Sequence, residues 1–148
     1  LWGAGGQALV LAELIQSSSL RLVLLVDNDA TRQSPIEGIR IVHGVDGLDG
    51  WLRSNPGVAH AFGVAIGGRG GADRLGLHDV LVRRGLRPAT FIHSRAFVAH
   101  DARLGAGVQV LANACVATRA VLGRQCIVNT AACTGYIDLV IAWGEWRY

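Results

Sequence analysis

The chain has 148 residues, 51% apolar and 17% charged, the composition of one compact domain or two small ones and not of a disordered segment. The net charge is +3 and all 14 basic residues are scattered arginines, which argues against the clustered charge of a nucleic-acid binder. The sequence has no run of roughly 18 apolar residues and no signal-peptide pattern, so no membrane partner is expected and the expected location is the cytoplasm.

Three cysteines without a CxxC spacing fit reduced thiols in such a compartment. Met is absent and the chain opens on Leu1-Trp2 at a glycine loop. We therefore expect a piece of a longer protein.

The first half reads as alternating strands and helices. Leu1-Trp2 resembles the end of a strand, followed by Gly3-Ala4-Gly5-Gly6-Gln7-Ala8. Residues 7–16 are apolar almost all round, which predicts a helix covered on most sides. Leu20 to Val26 is an aliphatic run broken only by Arg21, as in a strand buried on both faces, and it ends at Asp27-Asn28-Asp29. A short strand is predicted at 39–42, a short helix at 48–52, a buried strand at 59–66 closed by Gly67-Gly68, and a helix at 72–84 capped by Gly85. This order predicts an α/β unit with a parallel, Rossmann-like sheet.

The second half carries a six-residue period. Ile92, Val98, Leu104, Val110, Val116, Leu122 and Val128 hold one phase, and Ala96, Ala102, Val108, Ala114, Ala120, Cys126 and Ala132 hold another four residues later. A hexapeptide period marks a parallel β-helix, with the aliphatic side chain inward and the small residue at the turn. Cys115 and Cys133 stand 18 residues apart, so they should stack if the phase survives that far. The next residues in phase are Thr134 and Asp138, and the Trp-rich tail fits no hexad. The pattern is therefore expected to lapse from about 133, leaving an open end that is marginal or covered by a partner.

Together the halves resemble one family, the bacterial sugar acetyltransferases of the NeuD and PglD type. The matching segments are Gly3-Ala4-Gly5-Gly6-Gln7, Leu25-Val26-Asp27-Asn28, Ala65-Ile66-Gly67-Gly68, Ile92-His93-Ser94-Arg95-Ala96 and Ile127-Val128-Asn129-Thr130-Ala131-Ala132. Gln7, Asn28 and Ser94 depart from the family's His, Asp and Pro.

The resemblance implies a nucleotide-sugar domain at 1–88 and the start of a left-handed parallel β-helix at 89–148. It also implies acetyl-CoA as co-substrate, a sialic-acid or nucleotide-sugar acceptor, and a homotrimer. Gly5, Gly6 and Gln7 would approach the sugar or its phosphates through the backbone. Asp27 and Asn28 would bond base or ribose hydroxyls, and Gly67 would leave room beside the sheet. The family's catalytic base is a His a few residues after Asn129-Thr130, which falls on Tyr136 or Ile137. A Tyr with an ordinary pKa of roughly 10 is no base at neutral pH, so this chain is expected to lack the base. His100, beside Asp101, is the substitute candidate; an exposed turn pair is the plainer reading. His93 is read as a joint residue, and His43, His60 and His78 as structural or solvated. No His pair has metal spacing, and no metal is expected.

Two alternatives stay open. One is a binding module that holds a nucleotide sugar without catalysis. The other is an NAD-dependent oxidoreductase, because Gly3-x-Gly5-x-x-Ala8 with Asp27 downstream also satisfies the dinucleotide fingerprint.

Overall fold

The computed structural model describes residues 1–68 and 70–135, and the backbone of 139–140. The first part is a set of parallel strands. β1 (Leu25–Asp27) pairs with β2 (Ile41–His43), and β3 (Ala61–Phe62) pairs with β4 (Arg87–Pro88). Trp2 closes the gap with parallel bridges to Val26 and to Val64. The spatial order is therefore β2, β1, the Trp2 segment, the 61–64 segment, β4.

Side chains of these strands alternate between two cores, as a pleated strand requires. Leu25 and Ala65 face α1 (Gly6–Gln16), against Ala8, Leu11, Leu14 and Ile15. Leu24, Val26 and Val64 face the opposite core with Trp2, Leu48, Phe62, Leu81 and Leu86. Leu48 lies on α2 (Gly44–Ser54) and Leu81 on α3 (Gly71–Val82). Sheet residues buried on both sides explain the aliphatic run at 22–26, while Leu20 and Arg21 before it are exposed.

The elements differ from their predicted extents: the strand expected at 39–42 runs over Ile41–His43, and that expected at 59–66 is a ladder only over Ala61–Phe62, with a single bridge at Val64. The strand at 20–26 is a ladder only over Leu25–Asp27, the length over which β2 pairs with it. The helix expected at 48–52 runs from Gly44 to Ser54. α1 is less covered than its composition predicts, because Leu9 and Val10 remain exposed beside its buried face. The helix expected at 72–84 is present, and Gly85 follows it with φ +79°, a left-handed value that favours glycine.

The second part is a coil of three parallel sheets, with strands beginning every six residues. β5 (Phe91–Ile92), β8 (Gln109–Val110) and β11 (Ile127–Val128) form the first sheet. β6 (Phe97–Val98) and β9 (Cys115–Val116) form the second, and β7 (Arg103–Leu104), β10 (Val121–Leu122) and β12 (Leu139–Val140) the third. Every pairing joins residues one full turn apart, as in Phe91 with Gln109.

The repeat positions form the coil interior. Val108, Val110, Ala114, Val116, Ala120, Leu122, Cys126 and Val128 are one buried cluster. Ile92, in phase by sequence, is 48% exposed; it lies on the first coil, where no turn precedes it to cover it.

The corners have a backbone signature of their own. Gly107, Asn113, Arg119, Gln125 and Ala131 all have φ between 57° and 76°. From Gly107 on, one residue per hexad is left-handed, and four of the five are not glycine, at a cost of about 1 kcal/mol each.

The register runs beyond the point where the aliphatic pattern lapses. Cys115 and Cys133 bridge in parallel, as their spacing predicts, and β12 pairs with β10 at Val121–Leu139 and Leu122–Val140. Backbone pairing is indifferent to side-chain type, so Thr134 keeps its place in the coil and is buried.

Candidate functional site

The carboxyl ends of the Trp2 segment and the 61–64 segment lie side by side, and each runs into a glycine loop. Gly3 has φ +104°, and a Cβ there would lie 2.5 Å from the Ala65 carbonyl oxygen. Only glycine permits this approach. Gly67 lies against Gln7: a Cβ at Gly67 would be 3.3 Å from Gln7 Oε1. The two loops therefore touch at the mouth of the sheet.

Gly5 is the N-cap of α1 and makes no side-chain cap bond, and the first turn has no acidic residue. A Cβ on Gly5 or Gly6 would meet nothing within 4 Å. The open side of this loop and the uncapped helix N-terminus face the same space, with backbone N–H groups available to an anion.

Asp27 ties the neighbouring loop down. Its Oδ2 accepts from the Ala4 N–H at 2.8 Å and its Oδ1 from the Asp29 N–H at 3.0 Å. Each oxygen keeps a second lone pair. Asn28 is exposed beside it. The structure thus brings Gly5, Gly6, Gln7, Asp27 and Gly67 together at the carboxyl ends of the parallel strands. Gln7 turns its side chain away from open solvent and donates to Gln109 Oε1 at 2.7 Å.

The histidines separate clearly. His78 is buried edge-on to Phe62, 5.6 Å between ring centres, with Nδ1 3.0 Å from Gln125 Nε2. Burial pushes its pKa down, with nearby Arg124 acting in the same direction. This is a structural histidine. His93 Nδ1 accepts the Arg95 N–H in the turn that opens the coil. His100 is exposed, and Asp101 Oδ1 accepts the Arg119 N–H one coil on, so no hydrogen bond joins the pair. Tyr136 and Ile137, at the family's catalytic position, lie outside the described residues, as does Asp138. Among the described residues, no group of three His, Cys, Asp or Glu could hold a metal.

Sequence reasoning missed Gln109, Arg74 and Gln125. Gln109 precedes an inward aliphatic and so belongs to the outer face of the coil, where a polar residue is unremarkable. Its burial arises because α1 and the sheet cover that face, as the shared cluster of Leu11, Ala65, Phe91 and Leu111 shows. An apolar cleft lined by Trp2, Leu22, Leu24, Phe62, Leu86 and Phe91 is a separate feature. It holds none of the predicted site residues. No described helix is long and apolar enough to cross a membrane.

Parallel strands ending in glycine loops are set against a coil whose two-residue strands recur every six residues, an architecture shared with solved acetyltransferases that act on sugars. A variant of perosamine N-acetyltransferase from Caulobacter crescentus, in complex with CoA and GDP-perosamine, matches with 30% identity and a TM-score of 0.77, covering 89% of this chain and 60% of that one. PerB from the same organism, also with CoA and GDP-perosamine, matches at 28% identity and a TM-score of 0.76, over 89% and 59% of the two chains. The acetyltransferase domain of PglB from Neisseria gonorrhoeae, in complex with acetyl coenzyme A, matches at 27% identity and a TM-score of 0.73, over 92% and 63%. The resemblance to bacterial sugar acetyltransferases read from the motifs therefore holds in three dimensions, and the chain spans about 60% of the length of the solved structures it matches. No protein-family model matches the chain, and no curated protein does.

Proposed function

We propose that the chain is the nucleotide-sugar-binding part and the first coils of a sugar acetyltransferase, which moves acetyl from acetyl-CoA to a hydroxyl or amine of its acceptor. In this reading residues 1–88 are a Rossmann-like nucleotide-sugar domain and 89–148 begin a left-handed β-helix. The whole protein works as a cytoplasmic homotrimer with acetyl-CoA between neighbouring coils. The observation that carries the reading is the meeting of two glycine loops and an uncapped helix N-terminus at the carboxyl ends of adjacent parallel strands. Open α/β sheets bind nucleotides at that place. The GDP-perosamine held by the Caulobacter enzyme supports an amino-sugar nucleotide over a free sialic acid as acceptor.

Backbone N–H groups of Gly5, Gly6 and Gln7 hold the phosphates, and glycine lets the chain come close to them. The spare lone pairs of Asp27, with the Asn28 amide, take ribose or base hydrogens. Gly67 leaves space beside the sheet. In the transfer step a general base removes the acceptor proton as the nitrogen or oxygen attacks the thioester carbonyl, and the CoA thiolate leaves. The family's base position falls on Tyr136 or Ile137 in this sequence, so this chain alone binds without turnover.

Calorimetric titration with GDP-perosamine, alongside an assay of thiol release from acetyl-CoA, tests the reading. Binding without thiol release is the expected result. No binding overturns the nucleotide-sugar site, turnover overturns the missing base, and oxidation of NADH in a parallel assay restores the oxidoreductase alternative.

A further inference from the structure

We propose that Arg74 and Gln109 are positioning residues that fix the gap between the two glycine loops, so that ligand affinity at the sheet depends on the second turn of the coil. The ligand part of this inference rests on the nucleotide-sugar reading above.

Arg74 stands in the first turn of α3 and is only 4% exposed. Its side chain makes no bond to a carboxylate. Instead Nε donates to the Gln125 carbonyl at 2.9 Å, and Nη1 to the carbonyls of Ile66 at 3.1 Å and Gly68 at 3.4 Å. A buried cation with no carboxylate in hydrogen-bond contact, Asp73 acting on it only through space, is costly, and a guanidinium keeps its charge there. An apolar side chain would pack α3 without that cost. The fork does what an apolar group cannot: it clamps the second glycine loop to a corner of the coil. That corner is buried. Gln125 is 1% exposed in the left-handed conformation, and its amide reaches the His78 ring on α3.

Gln109 performs the matching task for the first loop. It is fully buried, its Oε1 accepts from Gln7, and its Nε2 donates to the Val64 carbonyl at 2.8 Å. One amide thus joins the residue after Gly6 to the strand that leads into Gly67. Gln109 and Gln125 belong to the same turn of the coil, since Gln109 pairs with Ile127 one turn on. Both loops are therefore hung from one turn at two points. The contact between Gly67 and Gln7 leaves little slack between them.

The test uses the 148-residue chain with Arg74→Met and Arg74→Lys, reading amide exchange by NMR and guanosine diphosphate binding by calorimetry. In Arg74→Met the amides of Gly67, Gly68 and Gly70 should exchange about tenfold faster, while those of Gln109 and Val110 hold their rates. Guanosine diphosphate affinity should fall about tenfold, or roughly 1.4 kcal/mol. Arg74→Lys keeps the charge but not the fork, and should restore only part of both effects. Loop rates that stay at the wild-type value, or that rise equally throughout the chain, would overturn the proposal. If the wild-type chain fails to bind guanosine diphosphate, the nucleotide-sugar reading falls, and the loop rates still decide whether Arg74 positions the loop. Should Arg74→Met fail to fold, the same two readings on Arg74→Lys decide.

Discussion

Gln7 and Gln109 are 102 positions apart, and their side-chain amides meet at 2.7 Å. This contact joins the glycine loop at the head of the sheet to the first sheet of the coil. Gln109 also satisfies the Val64 carbonyl, which is otherwise buried. Replacing it with Leu removes both bonds and leaves the carbonyl without a partner. Gln109→Leu should destabilise the chain by about 1–3 kcal/mol in chemical denaturation, with an unchanged denaturant slope. A loss within experimental error would show that water replaces the amide.

Gly3 is the tightest backbone approach in the candidate site, with a would-be Cβ 2.5 Å from a carbonyl oxygen and φ +104°. Gly3→Ala adds a clash to a disfavoured conformation. A loss of about 2–4 kcal/mol is expected from the thermal midpoint. Gly5→Ala meets open space and should leave stability nearly unchanged. If it also abolishes nucleotide binding, the space it fills is the ligand's.

The coil corners allow the opposite experiment. Ala131 is exposed with φ +59°, where glycine has no steric penalty. Ala131→Gly should raise stability by about 0.5–1 kcal/mol, the gain at the corner being partly offset by the greater freedom of the unfolded chain. A lower midpoint would contradict the left-handed assignment at that corner.

His78 gives the fold a pH dependence of definite sign. Burial holds its pKa below the ordinary 6.5, so the unfolded chain takes up a proton first as pH falls. Stability should be full above about 6.5 and decline as pH drops from there towards the lowered folded value. His78→Gln should remove the slope that sets in below about pH 6.5 while leaving the decline at lower pH from carboxylates such as Asp49, whose pKa is held down by the bond from Arg84. An identical slope in the variant would place the titration elsewhere.

The thiols should react in order of exposure. Cys133 is exposed, Cys115 is partly covered with its thiol pushed up by desolvation and by Cys133, and Cys126 is buried in the coil. Mass spectrometry after brief iodoacetamide treatment should find Cys133 modified first and Cys126 unmodified until the chain unfolds.

The repeat was plain in the sequence because each coil repeats one physical problem. An inward aliphatic and a small corner residue recur every six positions whatever surrounds them, and Val110, Val116, Leu122 and Val128 are buried accordingly. The glycine loops were legible for a related reason: Gly3 stands where backbone must come close to a neighbour and no other residue fits, and Gly67 leaves room for the Gln7 side chain. These are local constraints, written residue by residue.

What the sequence left open depends on contacts between distant segments. Ile92 obeys the repeat yet lies exposed, because burial needs a neighbouring turn. Leu9 and Val10 have the composition of a covered helix and are not covered. The roles of Arg74, Gln109 and Gln125 arise only where α1 and α3 dock on the coil, and their partners lie between 6 and 102 residues away. The sequence by itself determined the periodic coil, the glycine loops and the family resemblance, since each rests on local backbone geometry. Tertiary structure alone decided how the loops are anchored, because a buried polar group takes its partner from whatever the fold brings within about 3 Å.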